Sequence, residues 1–142
     1  MDITECIRFA NENSVAWLAT ADGNQPRVRP LQMWFADRTG FYFQTMTTKD
    51  LYRQLNQNPN VELGFWKPGE GGGTVLRVAG PIEWVDDPLM KRQCYLDRPF
   101  LAAMGLKEDC PELVLFRIAK GEAYTWTFAT NQEPKKKIRF GE

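Results

Sequence analysis

Two cations set the chemistry open to this chain. Arg29 lies in a strand-like run, and Lys49 follows Thr47 and Thr48 at the start of an expected helix. A guanidinium grips a phosphate through two parallel donors. The first turn of a helix leaves backbone N–H groups unpaired, and its dipole favours an anion. Alone, a strand arginine reads as a surface ion pair, and Lys49 as a solvated lysine beside a helix cap. Together they read as a phosphate cradle, to which Gln44 and Thr45 add donors at a strand end.

The segment Pro30-Leu31-Gln32-Met33-Trp34 alternates apolar and polar residues beside Arg29. Backbone N–H groups along such a strand suit the polar edge of a flat heterocycle. A flavin needs fixed partners of this kind, because the protein orients and tunes the ring while the ring does the redox chemistry. The competing reading is a half-buried strand whose Met33 and Trp34 are core. Trp126, in Tyr124-Thr125-Trp126-Thr127-Phe128, reads as core or interface, or as a cover over a ring. Lys135, Lys136, Lys137 and Arg139 make a basic tail, read as solvated or as a lid over an anion.

Composition removes many alternatives. The 142 residues hold no His, which excludes Ser-His triads, His general acid–base catalysis and His-ligated metals or haem. Cys6, Cys94 and Cys110 are widely spaced, with no CxxC pair, so no metal site is expected and buried thiols in a reducing cytoplasm are. No carboxylate pair is arranged for acid–base work, so no catalytic residue is assigned. The formal net charge is zero, against the electrostatic footprint of a nucleic-acid binder. No stretch reaches the roughly 18 apolar residues of a membrane span. The start MDITECIRF lacks the apolar run of a signal peptide, and a cytoplasmic location is expected.

The elements that must hold these residues follow from pattern. Ile3, Cys6, Ile7 and Ala10 fall at helical spacing and predict a helix over 2–12. Strands are expected at Val15–Thr20, Arg27–Phe35 (with Pro30 as a kink), Phe41–Thr45, Val61–Trp66, Thr74–Val85, Leu113–Ile118 and Glu122–Phe128. A helix over Thr48–Asn56 is capped by Thr47 or Thr48 and stopped by Asn58-Pro59. KPGEGGG, at 67–73, lacks the GKS/T ending of a phosphate-binding loop and reads as a hairpin turn. Asp86-Asp87-Pro88 starts a further helix, and Pro99 separates a second helical piece. The pattern gives six or seven strands, three or four short helices and a polar tail from Asn131, within one domain over 1–142. An open sheet, a sandwich and a barrel all fit; aromatic-rich strands and tight turns favour a small antiparallel barrel.

VAWLATADGNQPRVRPLQMWF, GFYFQTMTTKDLYRQLNQNPNVEL and VAGPIEWV resemble the pyridoxamine-5′-phosphate-oxidase-like family of FMN-binding split barrels. The ending AYTWTF with a short basic tail resembles its nitroimidazole-resistance-type reductase branch. The resemblance implies a mainly β, antiparallel split β-barrel, with 130–142 as a C-terminal tail. It implies a homodimer with FMN at the subunit interface. Arg29, Pro30, Leu31, Gln32 and Met33 would lie along the ring and ribityl chain, with Trp34 at the substrate pocket. Gln44, Thr45, Thr47, Thr48 and Lys49 would hold the ribityl-phosphate end. The implied function is an FMN-dependent oxidoreductase reducing a small electrophile through flavin N5. A non-enzymatic flavin carrier or store, and a deazaflavin-dependent reductase, stand as alternatives. The absence of His and of a long C-terminal segment argues against a true pyridoxamine-phosphate oxidase.

Overall fold

A computed structural model describes residues 1–142. Helix α1 (Ile3–Glu12) precedes the hairpin β1 (Val15–Asp22) and β2 (Gln25–Gln32). Next come β3 (Phe35–Asp37), β4 (Gly40–Met46), α2 (Asp50–Gln57), β5 (Asn60–Lys67) and β6 (Thr74–Val85). Helices α3 (Pro88–Asp97) and α4 (Phe100–Ala103) lead to β7 (Leu113–Ile118), β8 (Gly121–Thr127) and β9 (Ile138–Phe140). All strand pairings are antiparallel.

The path β2-β1-β5-β6-β7-β4-β3 is split by the twelve-residue β6. Its first half pairs with β8 through Thr74–Ala79, and its second half pairs with β7 through Ile82–Val85. Gly80 marks the change of partner, where a Cβ would lie 2.3 Å from Lys120 O. Gly121 faces it with φ +155°, and a Cβ there would lie 2.0 Å from Ala79 O. Gly121→Ala should therefore cost about 3 kcal/mol, from backbone strain together with overpacking; urea denaturation reads it directly.

Alternation supplies the barrel core. Ala16 and Leu18 of β1, Leu63 and Phe65 of β5, and Leu76 and Val78 of β6 are fully buried on one face. Phe41 and Phe43 of β4 meet Phe116 and Ile118 of β7 in the same core. Helix α1 closes one end with Cys6, Phe9 and Ala10, its start fixed by a capping box between Asp2 and Glu5. A smaller core of Cys94, Leu101, Leu113 and Leu115 lies beneath α3 and α4. There burial pushes the Cys94 thiol up to about 11.

The antiparallel barrel expected from the sequence is present, with nine strands rather than six or seven. One added strand comes from a break in the expected run Arg27–Phe35. Met33 N–H donates to Ser14 O at 2.8 Å, and the next residue, Trp34, donates to Tyr42 O at 2.9 Å. The chain changes sheets at that step, so one sequence run becomes β2 and β3. The other is β9, in a tail expected to be polar throughout. Phe140 is buried against Phe41, with ring centroids 5.6 Å apart, and Ile138 packs on the core. Helix α2 also starts later than expected: Lys49 is its N-cap, and neither Thr47 nor Thr48 caps it.

Candidate functional site

The expected cradle residues diverge into two hollows. The first, of about 600 Å³, is lined by Arg29, Pro30, Leu31 and Lys49. The second, of about 800 Å³, is lined by Gln32, Met33 and Trp34. Gln44, Thr45, Thr47 and Thr48 line neither. The pleat turns Gln44 and Thr45 to opposite faces of β4. Gln44 Oε1 and Thr45 Oγ1 are buried without a hydrogen-bond partner. Thr47 is tied by its backbone N–H to Glu112 O at 2.9 Å, and Thr48 is exposed.

The first hollow lies between the hairpin β1–β2 and helix α2. On β2, alternation sends Arg27, Arg29 and Leu31 to the same face. Arg29 is fixed rather than mobile. Its Nη1 donates to Thr20 Oγ1 at 2.7 Å and to Leu18 O at 3.3 Å, and its Nη2 donates to Gln54 Oε1 at 2.5 Å. Thr20 Oγ1 donates in turn to Gln54 Oε1 at 2.6 Å. Thr20 and Gln54 are buried, because Leu51 and Leu55 anchor α2 to the barrel and carry Gln54 inward. Burial and the neighbouring Arg27 both lower the Arg29 pKa, with Asp50 opposing. Such a cation is short of counter-charge, the condition in which an anion binds well.

Lys49 enters from α2. It is exposed and makes no ion pair, and no side chain accepts from the first N–H groups of the helix. Four cations and two carboxylates line the hollow, a net charge of two positive. A phosphate monoester carries about −1.5 to −2 near neutral pH. The donor set therefore fits a phosphate monoester such as the phosphate end of FMN. β2 is an edge strand, so one side of its backbone is free of sheet partners beside the hollow.

The second hollow lies where β2 gives way to β3, under α3. Trp34 Nε1 donates to Asp97 Oδ2 at 3.0 Å and Arg98 Nη2 to Gln32 O at 3.0 Å. Arg98 is buried with Nη1 unpartnered, and burial lowers its pKa. Sequence reasoning passed over Arg98, and over Thr20, Asp22, Arg27, Arg53 and Gln54 at the first hollow. Arg27 was legible as the same-face neighbour of Arg29, and Arg53 as the residue one helical turn beyond Lys49. Gln54 carried only the faint signal of an amide between two core leucines.

Known proteins agree with this architecture. A NimC/NimA family protein from Clostridium acetobutylicum superposes with a TM-score of 0.79 at 26% identity, covering 96% of this chain and 92% of that one. General Stress Protein 26 from Bacillus anthracis gives 0.77 at 18% identity, covering 99% and 100%. A FAD-binding protein from Mesorhizobium loti gives 0.69 at 23% identity, covering 88% and 94%. Comparison with curated protein sequences finds no match. The family profile described as Pyridoxamine 5′-phosphate oxidase matches residues 3–134, nearly the whole barrel and all of both hollows. With the split at β6 and the resemblance read from the sequence agreeing with that match, the chain belongs to the pyridoxamine 5′-phosphate oxidase family.

Proposed function

We propose that this protein is an FMN-dependent oxidoreductase that acts as a homodimer on a small electrophilic substrate. One observation carries the reading. Arg29, fixed by Thr20 and Gln54, and Lys49, free of ion pairs, line one hollow with a net charge of two positive. Bound FMN supplies hydride or electron transfer through its N5. The chain supplies position: Arg29 and Lys49 hold the phosphate, and the free edge of β2 at Pro30 and Leu31 meets the ribityl chain and ring. Gln32, Met33 and Trp34, which continue β2 into the second hollow, would flank the ring, with Trp34 at the substrate pocket. Gln44, Thr45, Thr47 and Thr48 support the phosphate end through β4 and the turn into α2.

The homodimer reading rests on exposed apolar surface. Val15, Trp17, Val28 and Trp66 are each more than half exposed on the outer face of the β2-β1-β5 sheet. An apolar patch of this kind on one sheet face marks an interaction surface. No helix is long and apolar enough to cross a membrane; we assign the protein to the cytoplasm on its three free cysteines.

The test is a visible absorption spectrum after incubation with excess FMN and desalting, followed by NAD(P)H turnover with a nitroaromatic or quinone acceptor. Retained oxidised-flavin bands with turnover are expected. Retained flavin without turnover moves the reading to a flavin carrier or store. No retained FMN, with a deazaflavin retained instead, moves it to a deazaflavin reductase.

A further inference from the structure

Resting on the phosphate-cradle reading, we propose that Asp22 restricts the cradle to a phosphate monoester and disfavours a diphosphate. The cations of the first hollow fall into two pairs. Arg27 and Arg29 stand two residues apart on one face of β2, and Lys49 and Arg53 one turn apart at the start of α2. Neither member of the inner pair, Arg29 and Lys49, meets a carboxylate. The outer pair, Arg27 and Arg53, is held by Asp22 at the end of β1. Arg27 Nε donates to Asp22 Oδ2 at 3.2 Å, and Arg53 Nη1 donates to Asp22 Oδ1 at 3.3 Å.

Asp22 thus sets an inner half, whose two cations are in no ion pair, against an outer half, whose two guanidiniums share one carboxylate. Hydrogen bonds from Arg53 and then Arg27 hold its carboxyl below the ordinary carboxylate range, so it is charged at neutral pH. A phosphate monoester takes the inner pair and leaves the outer three residues in place. A diphosphate, as in FAD, carries its second phosphate beyond the inner pair. There the neighbouring cations are already occupied, and the group next to it is a carboxylate. Rejection of a wrong ligand by a placed like charge is a common way to gain specificity. The hollow is large enough for a second phosphate, so charge rather than space makes the distinction.

The experiment is a set of fluorescence titrations with FMN, FAD and riboflavin. It uses the wild-type protein, Asp22→Asn, Asp22→Ser and the double variant Asp22→Asn/Arg53→Gln. The expected result is that Asp22→Asn tightens FAD by about tenfold and changes FMN by less than about threefold, as for the loss of one partly screened repulsive charge. Adding Arg53→Gln removes the gain, because the freed guanidinium is what the second phosphate uses. Asp22→Ser keeps a turn-forming residue and repeats the result if the amide variant folds poorly. Equal changes for FMN and FAD, or none, overturn the role of Asp22 while FMN still binds more tightly than riboflavin. A wild-type protein that binds FMN no more tightly than riboflavin overturns the cradle itself, and this inference with it.

Discussion

Arg29→Ala should weaken FMN binding about a hundredfold, roughly 3 kcal/mol, the scale of a charge-assisted hydrogen bond removed from a partly desolvated site. Riboflavin, which lacks the phosphate, should bind both forms equally. The comparison separates a phosphate contact from a general loss of fold. Arg29→Lys should recover little, because an ammonium cannot keep the donors to Thr20 and Gln54 and still present a planar edge to the ligand. The stability cost of Arg29→Ala should be about 1 kcal/mol. Thr20 still donates to Gln54 in the variant, so the buried amide oxygen keeps one partner. Fluorescence titration and a denaturation curve on the same samples check both halves. A matched loss for FMN and riboflavin would reduce Arg29 to a structural residue.

Phe116→Ala is expected to be the most damaging change to the fold, at about 4 kcal/mol for a large aromatic removed from a packed core. Phe116 is fully buried on β7, where the second half of the barrel is sewn together. Its ring stacks on Phe43 of β4, with centroids 5.3 Å apart and planes 13° apart. It also meets the edge of Trp84 of β6, at 5.9 Å and 77°. One side chain therefore joins three adjacent strands, and a cavity there loosens β4 as well as β7. β4 runs directly into the turn that presents Lys49, so FMN affinity should fall with stability. Phe116→Leu, which refills most of the volume, should cost far less, within about 2 kcal/mol. Urea denaturation gives both values; a loss under about 1 kcal/mol for Phe116→Ala would mean that the site collapses around the missing ring.

Much of this molecule was legible locally. Apolar runs bounded by turn signals marked VAWLAT and FYFQT as strands, because β-branched and aromatic residues between tight turns favour extended chain. Helical spacing marked α1, and the absence of His excluded whole classes of chemistry by composition alone. Arg29 and Lys49 were visible as cations on elements able to hold an anion.

What alternation and spacing do not contain is which partner a strand chooses. Gln32, Met33 and Trp34 continue the run of Arg29 in sequence, yet the change of partner from Ser14 to Tyr42 carries them to another hollow. Phe140 lies in a stretch rich in charge, and only the open place beside β8 makes a strand of it. Asp22, Arg27, Arg53 and Gln54 are ordinary surface-type residues in sequence. They join Arg29 because Leu51 and Leu55 dock α2 against the barrel beside the β1–β2 hairpin. Most strands, the first helix and the two cations could be read locally, since these rest on residue propensity, spacing and residue chemistry. Which residues share a hollow, and which cations Asp22 pairs there, depends on long-range docking of surfaces far apart in the chain.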